Sequence, residues 1–423
     1  MAVPFLVLIA FFLRPVGALA QDLKMDREVS EEMLDTVVKD VEKNFYDPTL
    51  KGVDWKPLVK HAHDRIENAQ NHAEMFTAIF SLVNKLDDSH TIFLPPSRVA
   101  RIKFGMDAMA FGDEVRIWKI KKDGAADKAG LKVGDRIVAI NNFQVTRKSY
   151  DTLQIFFRLL RPSQVMDIQF VRGTDPPQAI RLEGDMDHGE KVIDLTDIDA
   201  WYKLIREMET EERDEEKEVT ANYANGTGYI KLTDFEQEQA LIDHMIRKVK
   251  NSRTLIVDLR RNPGGSVDLL KDIAGYFEAE PTIIGTVETR KKTEDMKIKP
   301  HGSPLEMPLF ILVDSKTASA GEIFARHFQK NGRAKVIGDM TAQKVNVARI
   351  FAHHSGTDVV VSYALELAVG RLVFPGGEEL EKRGVTPDQL CIPTAADQVA
   401  GRDPCLDMAK ILASTAVVPA AKP

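Results

Sequence analysis

From Gly226 onward the chain repeats one pattern, an apolar strand-like run followed by an amphipathic helix, and this repetition constrains the fold more than any other feature. GYIKL precedes a helix over Glu236 to Val249, TLIVDL precedes one over Val267 to Phe277, and LFILV precedes one over Gly321 to Gln329, with AKVIG as a further strand. Such alternation predicts a mostly parallel or mixed sheet covered by helices. Reactive groups in such sheets collect at the carboxyl ends of the strands.

The preceding residues follow other periods. Val29, Met33, Val37, Val41 and Phe45 recur four apart, with Leu34 and Val38 widening the same face, and a second helix is expected over His72 to Leu86. Asp87 to Pro96 (DDSHTIFLPP) breaks that helix. Between 101 and about 178, short β-rich runs at Val115 to Ile120 and Met166 to Arg172 flank DGAADKAGLKVGDRIVAINNFQV, whose glycines supply the tight positions of a compact, separate β-unit. A helix over Ile198 to Met208 leads into EERDEEKE, Glu211 to Glu218, which reads as a solvated helix end or link.

The 423 residues exceed one compact domain, so two or three folded units are expected. A net charge of -7 with no long basic run argues against nucleic acid as a partner. Ala2 to Leu13 is almost continuously apolar and is followed by Ala18-Leu19-Ala20, the pattern of a secretory signal cleaved before Gln21, although its n-region carries only the terminal amine. As an uncleaved anchor the run is short for a bilayer span, and no later segment is long enough. The mature chain is therefore expected to be soluble and exported, to a periplasm or the extracellular space. The two cysteines, Cys391 and Cys405, read as a disulfide closing a short loop or as two buried thiols, and no histidine pair joins them at zinc-ligand spacing.

Several residues carry candidate chemistry. Ser319 follows the apolar strand Leu309 to Val313 at the start of a helix, where backbone amides and the helix dipole favour developing negative charge. The Ala320 amide is then within reach of an oxyanion. By itself a serine there reads as an N-cap, and Ser315 and Thr317 compete with it on equal local grounds. Lys344 follows the strand Lys335 to Gly338 and the turn DMTAQ, and as a base it would need burial or a nearby cation to lose its proton. LRRNPGG, Leu259 to Gly265, follows the strand Thr254 to Asp258. Its two glycines, Gly264 and Gly265, would let main-chain amides approach a substrate, or would simply make a turn. His90, His327, His353 and His354 leave a serine-histidine triad open. Neither GxGxxG nor GxxxxGK[ST] occurs, so nucleotide chemistry is not expected. No metal or other cofactor is expected either.

In order along the chain, LDDSHT (Leu86 to Thr91), the β-unit around Asp123 to Val145, DLRRNPGG (Asp258 to Gly265), TASAGEIFA (Thr317 to Ala325), NGRAKVIGDMTAQK (Asn331 to Lys344) and RGVTPD (Arg383 to Asp388) resemble the carboxy-terminal-processing, or tail-specific, serine proteases. The resemblance implies Ser319 as nucleophile, Lys344 as general base, and the amides of Ala320 and of Gly264 or Gly265 as oxyanion donors. It also implies a PDZ-like domain that binds substrate carboxyl termini by strand addition, with Phe104-Gly105-Met106 as its carboxylate loop, and that can gate the active site. Many relatives carry FGKG around the lysine and a glutamine four residues beyond it. Here that position is Ala348, leaving Asn346 or Gln343 as substitutes, and Gly321 stands where a further serine is common.

The expected fold class is accordingly α/β, with a mixed-sheet, ClpP/crotonase-like core, an N-terminal helical segment and an inserted PDZ-like β-domain. The expected boundaries are a signal peptide over 1–20, a helical domain over 21–100, the PDZ-like domain over 101–180, the protease core over 181–410 and a tail over 411–423. The expected partners are proteins or peptides with accessible carboxyl termini, with no stable membrane span after processing and the oligomeric state open. The expected activity is acyl-enzyme hydrolysis of peptide bonds. A catalytically weakened peptide-binding scaffold and a peptidase for short peptides are the alternatives.

Overall fold

The computed structural model describes residues 16–96, 101–187, 201, 220–223, 225–355 and 360–416. The body of the expected signal segment, most of the 198–208 helix, the acidic run 211–218 and the end of the tail lie outside the described residues. Among the described residues no helix is long and apolar enough to cross a membrane.

Three helices come first: α1 (Val16–Asn44), α2 (Trp55–Glu67) and α3 (His72–Val83). Their shared core holds Met33, Leu34, Val37, Val41 and Phe45, so the four-residue recurrence in the sequence is a buried helical face. The strand β1 (Ile92–Leu94) follows.

The inserted β-domain begins with β2 (Arg101–Lys103), β3 (Met106–Phe111), β4 (Glu114–Ile120), α4 (Ala125–Lys128), β5 (Arg136–Ile140) and β6 (Phe143–Gln144). It continues with α5 (Arg147–Ile155), β7 (Val165–Val171), β8 (Gln178–Glu183) and β9 (Asp185–Asp187). The main sheet runs β3-β4-β5-β7-β8, so β3 is an edge strand. Thr146 caps α5 by accepting the Ser149 amide. Phe104, Met106, Val115, Ile117, Ile137, Ile168 and Phe170 form this domain's own core.

The remainder contains β10 (Thr220–Asn222), β11 (Thr227–Lys231), α6 (Gln239–Val249), β12 (Thr254–Asp258), α7 (Val267–Gly275), β13 (Thr282–Thr289), β14 (Thr293–Ile298), β15 (Leu309–Val313) and α8 (Ala320–Lys330). It ends with β16 (Ala334–Gly338), β17 (Val347–Ser355), β18 (Val361–Val373), β19 (Gln389–Leu390), α9 (Ala395–Val399) and α10 (Pro404–Thr415). One sheet has the order β10-β11-β12-β15-β16-β19, parallel throughout except for β10 against β11. Every residue of β12 and β15 is buried because both faces are covered. Val257, Ile311 and Val313 pack with Met245, Ile273 and Phe324 of α6, α7 and α8. Ile256, Phe310 and Leu312 pack against Ala409 and Ala413 of α10.

The expected single mixed-sheet core of ClpP/crotonase type requires correction. Strand-helix alternation accounts for only one sheet. A second, antiparallel sheet is built from β1, β18, β13 and β14, with β17 paired to β18, and lies against the N-terminal helices through Tyr363, Leu365 and Leu367. Its β1–β18 pairing joins Ile92 to Glu366, a partnership of distant segments that local periodicity does not report.

Candidate active site

The site forms where β12, β15 and β16 end. After β15, a turn runs from Asp314 to Ser319 and is laced to the 259–265 loop that follows β12. Thr317 Oγ1 donates to Leu259 O at 2.8 Å, Arg261 N to Asp314 Oδ1 at 3.0 Å, and Ala318 N to Asn262 O at 2.9 Å. Two of the three hydroxyl candidates have backbone partners here. Thr317 is committed to Leu259, and Ser315 Oγ donates to Ala110 O of β3 at 2.6 Å. Ser319 occupies the N-cap position of α8 with φ 51° and ψ -117°, whereas an ordinary cap is extended. A non-glycine residue in that region is strained, a condition that clusters at functional sites.

Gly264 touches this strained residue. A Cβ on Gly264 would stand 2.6 Å from Ser319 Cβ and 3.0 Å from Ala320 N, so its missing side chain lets the loop close on the serine. The Gly264 amide itself donates to Asn262 Oδ1 at 2.8 Å. Gly265 forms a parallel bridge with Phe235.

Lys344 lies on the segment between β16 and β17. Ser319 N donates to Lys344 O at 2.7 Å, which makes the two residues neighbours across 25 positions of sequence. Glu322, three residues into α8, reinforces the arrangement. Its carboxylate accepts from Ser319 N at 3.2 Å, Gln343 N at 2.9 Å, Lys344 N at 2.8 Å and the Thr341 hydroxyl. Complete burial pushes this carboxyl up to about 7, against the lowering effect of those donors.

The Lys344 ammonium is 3.1 Å from Asp151 Oδ2, on α5 of the inserted domain. The other oxygen, Oδ1, accepts from Lys316 Nζ at 3.0 Å. Burial raises the Asp151 carboxyl, but the two lysines outweigh burial and hold it well below the usual carboxylate range. The docking continues at Arg147, which donates to Asp339 Oδ2 at 3.0 Å and to the Met340 carbonyl.

Of the two amides considered as substitutes for the missing glutamine, Asn346 Nδ2 donates to Asp88 Oδ2 at 2.8 Å and Gln343 Nε2 contacts Met340 Sδ at 3.1 Å. Ala348 lies in β17, opposite Ala368. Behind Lys344, Glu381 accepts from Val345 N at 3.0 Å and from Ser89 N at 3.0 Å. His90 Nδ1 is 3.1 Å from Ser89 Oγ in the same turn. The other histidines serve elsewhere: His327 Nε2 meets Glu278 at 2.7 Å, His353 Nε2 meets Asp40 at 2.6 Å, and His354 Nδ1 meets Ser362 at 2.9 Å. Asp151, Lys316, Glu322 and Arg147 did not stand out in the sequence. Glu322 alone had a local signal, a glutamate three residues after an N-cap serine.

No group of three or more His, Cys, Asp or Glu residues suited to a metal ion occurs among the described residues. Cys391 and Cys405 form a disulfide.

Residues 226–391 match peptidase family S41, residues 117–171 a PDZ domain, and residues 26–83 the tricorn protease C1 domain. The chain is 25% identical over 365 residues to the carboxyl-terminal-processing protease of Synechocystis sp., covering 83% of this chain and 78% of that protein. It is 26% identical over 368 residues to the chloroplastic carboxyl-terminal-processing peptidase 2 of Arabidopsis thaliana, covering 82% of this chain and 66% of that one. Mature CPAF superposes with a TM-score of 0.67 at 14% identity, covering 93% of this chain and 99% of that one. The photosystem II D1 C-terminal processing protease superposes with a TM-score of 0.51 at 18% identity, covering 88% and 96%. These likenesses complete the correction of the fold class: the α/β core is that of the S41 and CPAF peptidases with an inserted PDZ-like β-domain, not a ClpP/crotonase fold. With its S41 match, its PDZ domain and its curated relatives, this chain belongs to the C-terminal-processing (tail-specific) serine protease family.

Proposed function

We propose that the protein is an exported endopeptidase that cleaves proteins presenting accessible carboxyl termini, with Ser319 as nucleophile and Lys344 as general base. The observation that carries this reading is the 2.7 Å hydrogen bond from Ser319 N to Lys344 O, made by a serine with φ 51° at a helix start. Lys344 Nζ takes the proton as Ser319 Oγ attacks the scissile carbonyl, then returns it to the departing amine, leaving an acyl-enzyme ester. Water attacks that ester with Lys344 again accepting the proton, and Ser319 is regenerated. The Ala320 amide and a Gly264 or Gly265 amide stabilise each oxyanion. Because Gly264 N already donates to Asn262, Gly265 is the glycine this reading favours.

The substrate tail adds as a strand to β3, the edge strand of that sheet, with its carboxylate at Phe104-Gly105-Met106. Gly105 has φ 71°, which suits a tight loop before that strand. The Lys344–Asp151 ion pair corresponds to a resting state, since a lysine held by a carboxylate keeps its proton. A tail that moves α5 would release the base. The apolar run Ala2 to Leu13 supports export.

A fluorophosphonate probe tests the chemistry directly. Labelling at Ser319 that disappears in Ser319→Ala and falls at least 100-fold in Lys344→Ala is expected. Equal labelling of the Lys344→Ala protein would remove the serine-lysine reading, and no labelling of the wild type with a bound tail would favour an inert peptide-binding scaffold.

A further inference from the structure

The lysine assigned as base shares its carboxylate with a second lysine. Lys316 Nζ lies 3.0 Å from Asp151 Oδ1 while Lys344 Nζ lies 3.1 Å from Asp151 Oδ2. The two ammonium groups therefore face each other across one half-buried side chain. They come from different strand ends, Lys316 from the turn after β15 and Lys344 from the segment after β16. The Lys316 backbone is fixed by its amide donating to Asp314 Oδ1 at 3.0 Å, and its ammonium lies 6.0 Å from the Tyr150 ring centroid. Asp151 belongs to neither of these segments but to α5, in a domain docked on them.

Building on the serine-lysine reading, we infer that Lys316 is a charge-tuning residue for Lys344: when α5 withdraws Asp151, the Lys316 ammonium, kept nearby by its anchored backbone, expels the proton from Lys344 Nζ and creates the free base. The effect is one of charge balance. While the carboxylate is present, it neutralises one lysine and screens the pair. Once it leaves, two cations remain near one another beside a buried site, and a like charge disfavours the protonated form of its neighbour. Lys316 does not touch the reacting atoms and is a positioning residue in the electrostatic sense.

Other charges around this segment set the background. Glu322 of α8 accepts the Lys344 amide, and Glu381, after β18, accepts the Val345 and Asn346 amides. Asp88 binds Asn346, His90 lies in the same turn, and Lys382 pairs with Asp87 at 2.9 Å. Glu322 and Glu381 accept backbone amides of this segment, whereas Asp151 meets the Lys344 ammonium directly. Arg147 of α5 is engaged with Asp339 and leaves with Asp151 if the helix moves.

The test uses the full chain and the pH dependence of fluorophosphonate labelling of Ser319, which avoids any choice of substrate. In the Asp151→Asn background, Lys316→Met is expected to move the rising limb of the rate to higher pH by about one unit, while the plateau at alkaline pH is retained. Lys316→Arg, which keeps the charge, should leave the limb where Asp151→Asn alone has it. A coincident limb in Lys316→Met overturns the inference. A measurement without a second substitution guards against a misfolded variant: in Asp151→Asn alone, raising sodium chloride from 50 mM to 1 M should move the limb upward as the repulsion is screened, and an unmoved limb counts against the inference. Loss of labelling in Lys344→Ala with an unmoved limb in Lys316→Met removes only the tuning role. Retained labelling in Lys344→Ala removes the serine-lysine reading beneath it.

Discussion

The Glu322 carboxylate accepts the Lys344 amide at 2.8 Å, which ties the first turn of α8 to the segment carrying the lysine. The same group accepts three further donors, from Ser319, Gln343 and Thr341, so it sets the relative position of serine and lysine. Glu322→Gln replaces one acceptor oxygen by an amide donor, which faces either the Ser319 and Lys344 amides in the place of Oε2 or the Gln343 amide and Thr341 hydroxyl in the place of Oε1. With unsatisfied buried donors costing about 1–3 kcal/mol each, Ser319 labelling should fall about 10- to 100-fold, and Glu322→Ala should also lower the unfolding midpoint. Unchanged labelling in both variants would show that Glu322 does not position the pair.

The same residue gives the fold a pH dependence with a definite sign. Burial raises the Glu322 carboxyl from its ordinary 4.5 to about 7, so the folded chain holds the proton more tightly than the unfolded chain. Its stabilising contribution is complete below about 4.5 and is lost as pH rises toward 7, an effect on the order of 3 kcal/mol. Denaturant unfolding between pH 4.5 and 7 should show a flatter profile for Glu322→Gln than for wild type. Parallel profiles would mean that the carboxyl is not shifted in the fold.

Asp151→Asn removes the charge that holds Lys344 and should raise the basal labelling rate of Ser319 several-fold in the absence of any tail peptide. Because the folded Asp151 carboxyl lies below its usual range, with Lys316 and Lys344 outweighing burial, its contribution to stability is present above pH 3.8 and lost as pH falls further. Its side chain is 40% exposed, so solvent screening reduces that contribution. A tail peptide should therefore accelerate wild type more than it accelerates Asp151→Asn. Equal acceleration of both would separate peptide binding from the ion pair.

What the sequence disclosed divides along physical lines. Ser319, Lys344 and the Gly264-Gly265 turn were legible because each follows an apolar strand, and parallel strands deliver their carboxyl ends to one edge of the sheet. The helical N-terminal face was legible because burial imposes a 3.6-residue period on Met33, Val37 and Val41. Asp151 and Lys316 were not, since their meeting depends on how a separately folded domain docks, and a lone lysine or aspartate carries no local sign of that. The second sheet was missed for a related reason: β1 and β18 pair across most of the chain. The Cys391–Cys405 pairing stayed open because spacing alone does not distinguish a bond from two buried thiols.

Gly264→Ala tests the contact between the loop and Ser319. The backbone there has φ 99°, and the added methyl would stand 2.6 Å from Ser319 Cβ, so strain and collision act at one point. Labelling should fall by more than 100-fold, and the thermal midpoint should drop as well, because Gly264 is buried and the methyl also meets Ala320 N at 3.0 Å. Full labelling in this variant would mean that the loop does not bear on the serine in the reactive state.

The disulfide between Cys391 and Cys405 should act on stability and leave the chemistry in place. Its cysteines are 14 residues apart and join the end of β19 to the first turn of α10, the helix that covers Ile256, Phe310 and Leu312. In the loop-entropy account a closure of this length contributes about 3 kcal/mol, so the Cys391→Ser, Cys405→Ser double variant should lose about 2–4 kcal/mol in denaturant unfolding. Faster amide exchange should appear first in α10. The 259–265 loop has anchors that do not pass through the disulfide, namely Thr317 to Leu259, Arg261 to Asp314 and Ala318 to Asn262. Arg260 retains Asp258 as a partner at 2.6 Å even if Asp403 moves away with α10. Ser319 labelling at 25 °C should therefore stay within about threefold of wild type. A loss of labelling that precedes any loss of folded protein during reduction would refute this separation and make α10 part of the machinery that shapes the site.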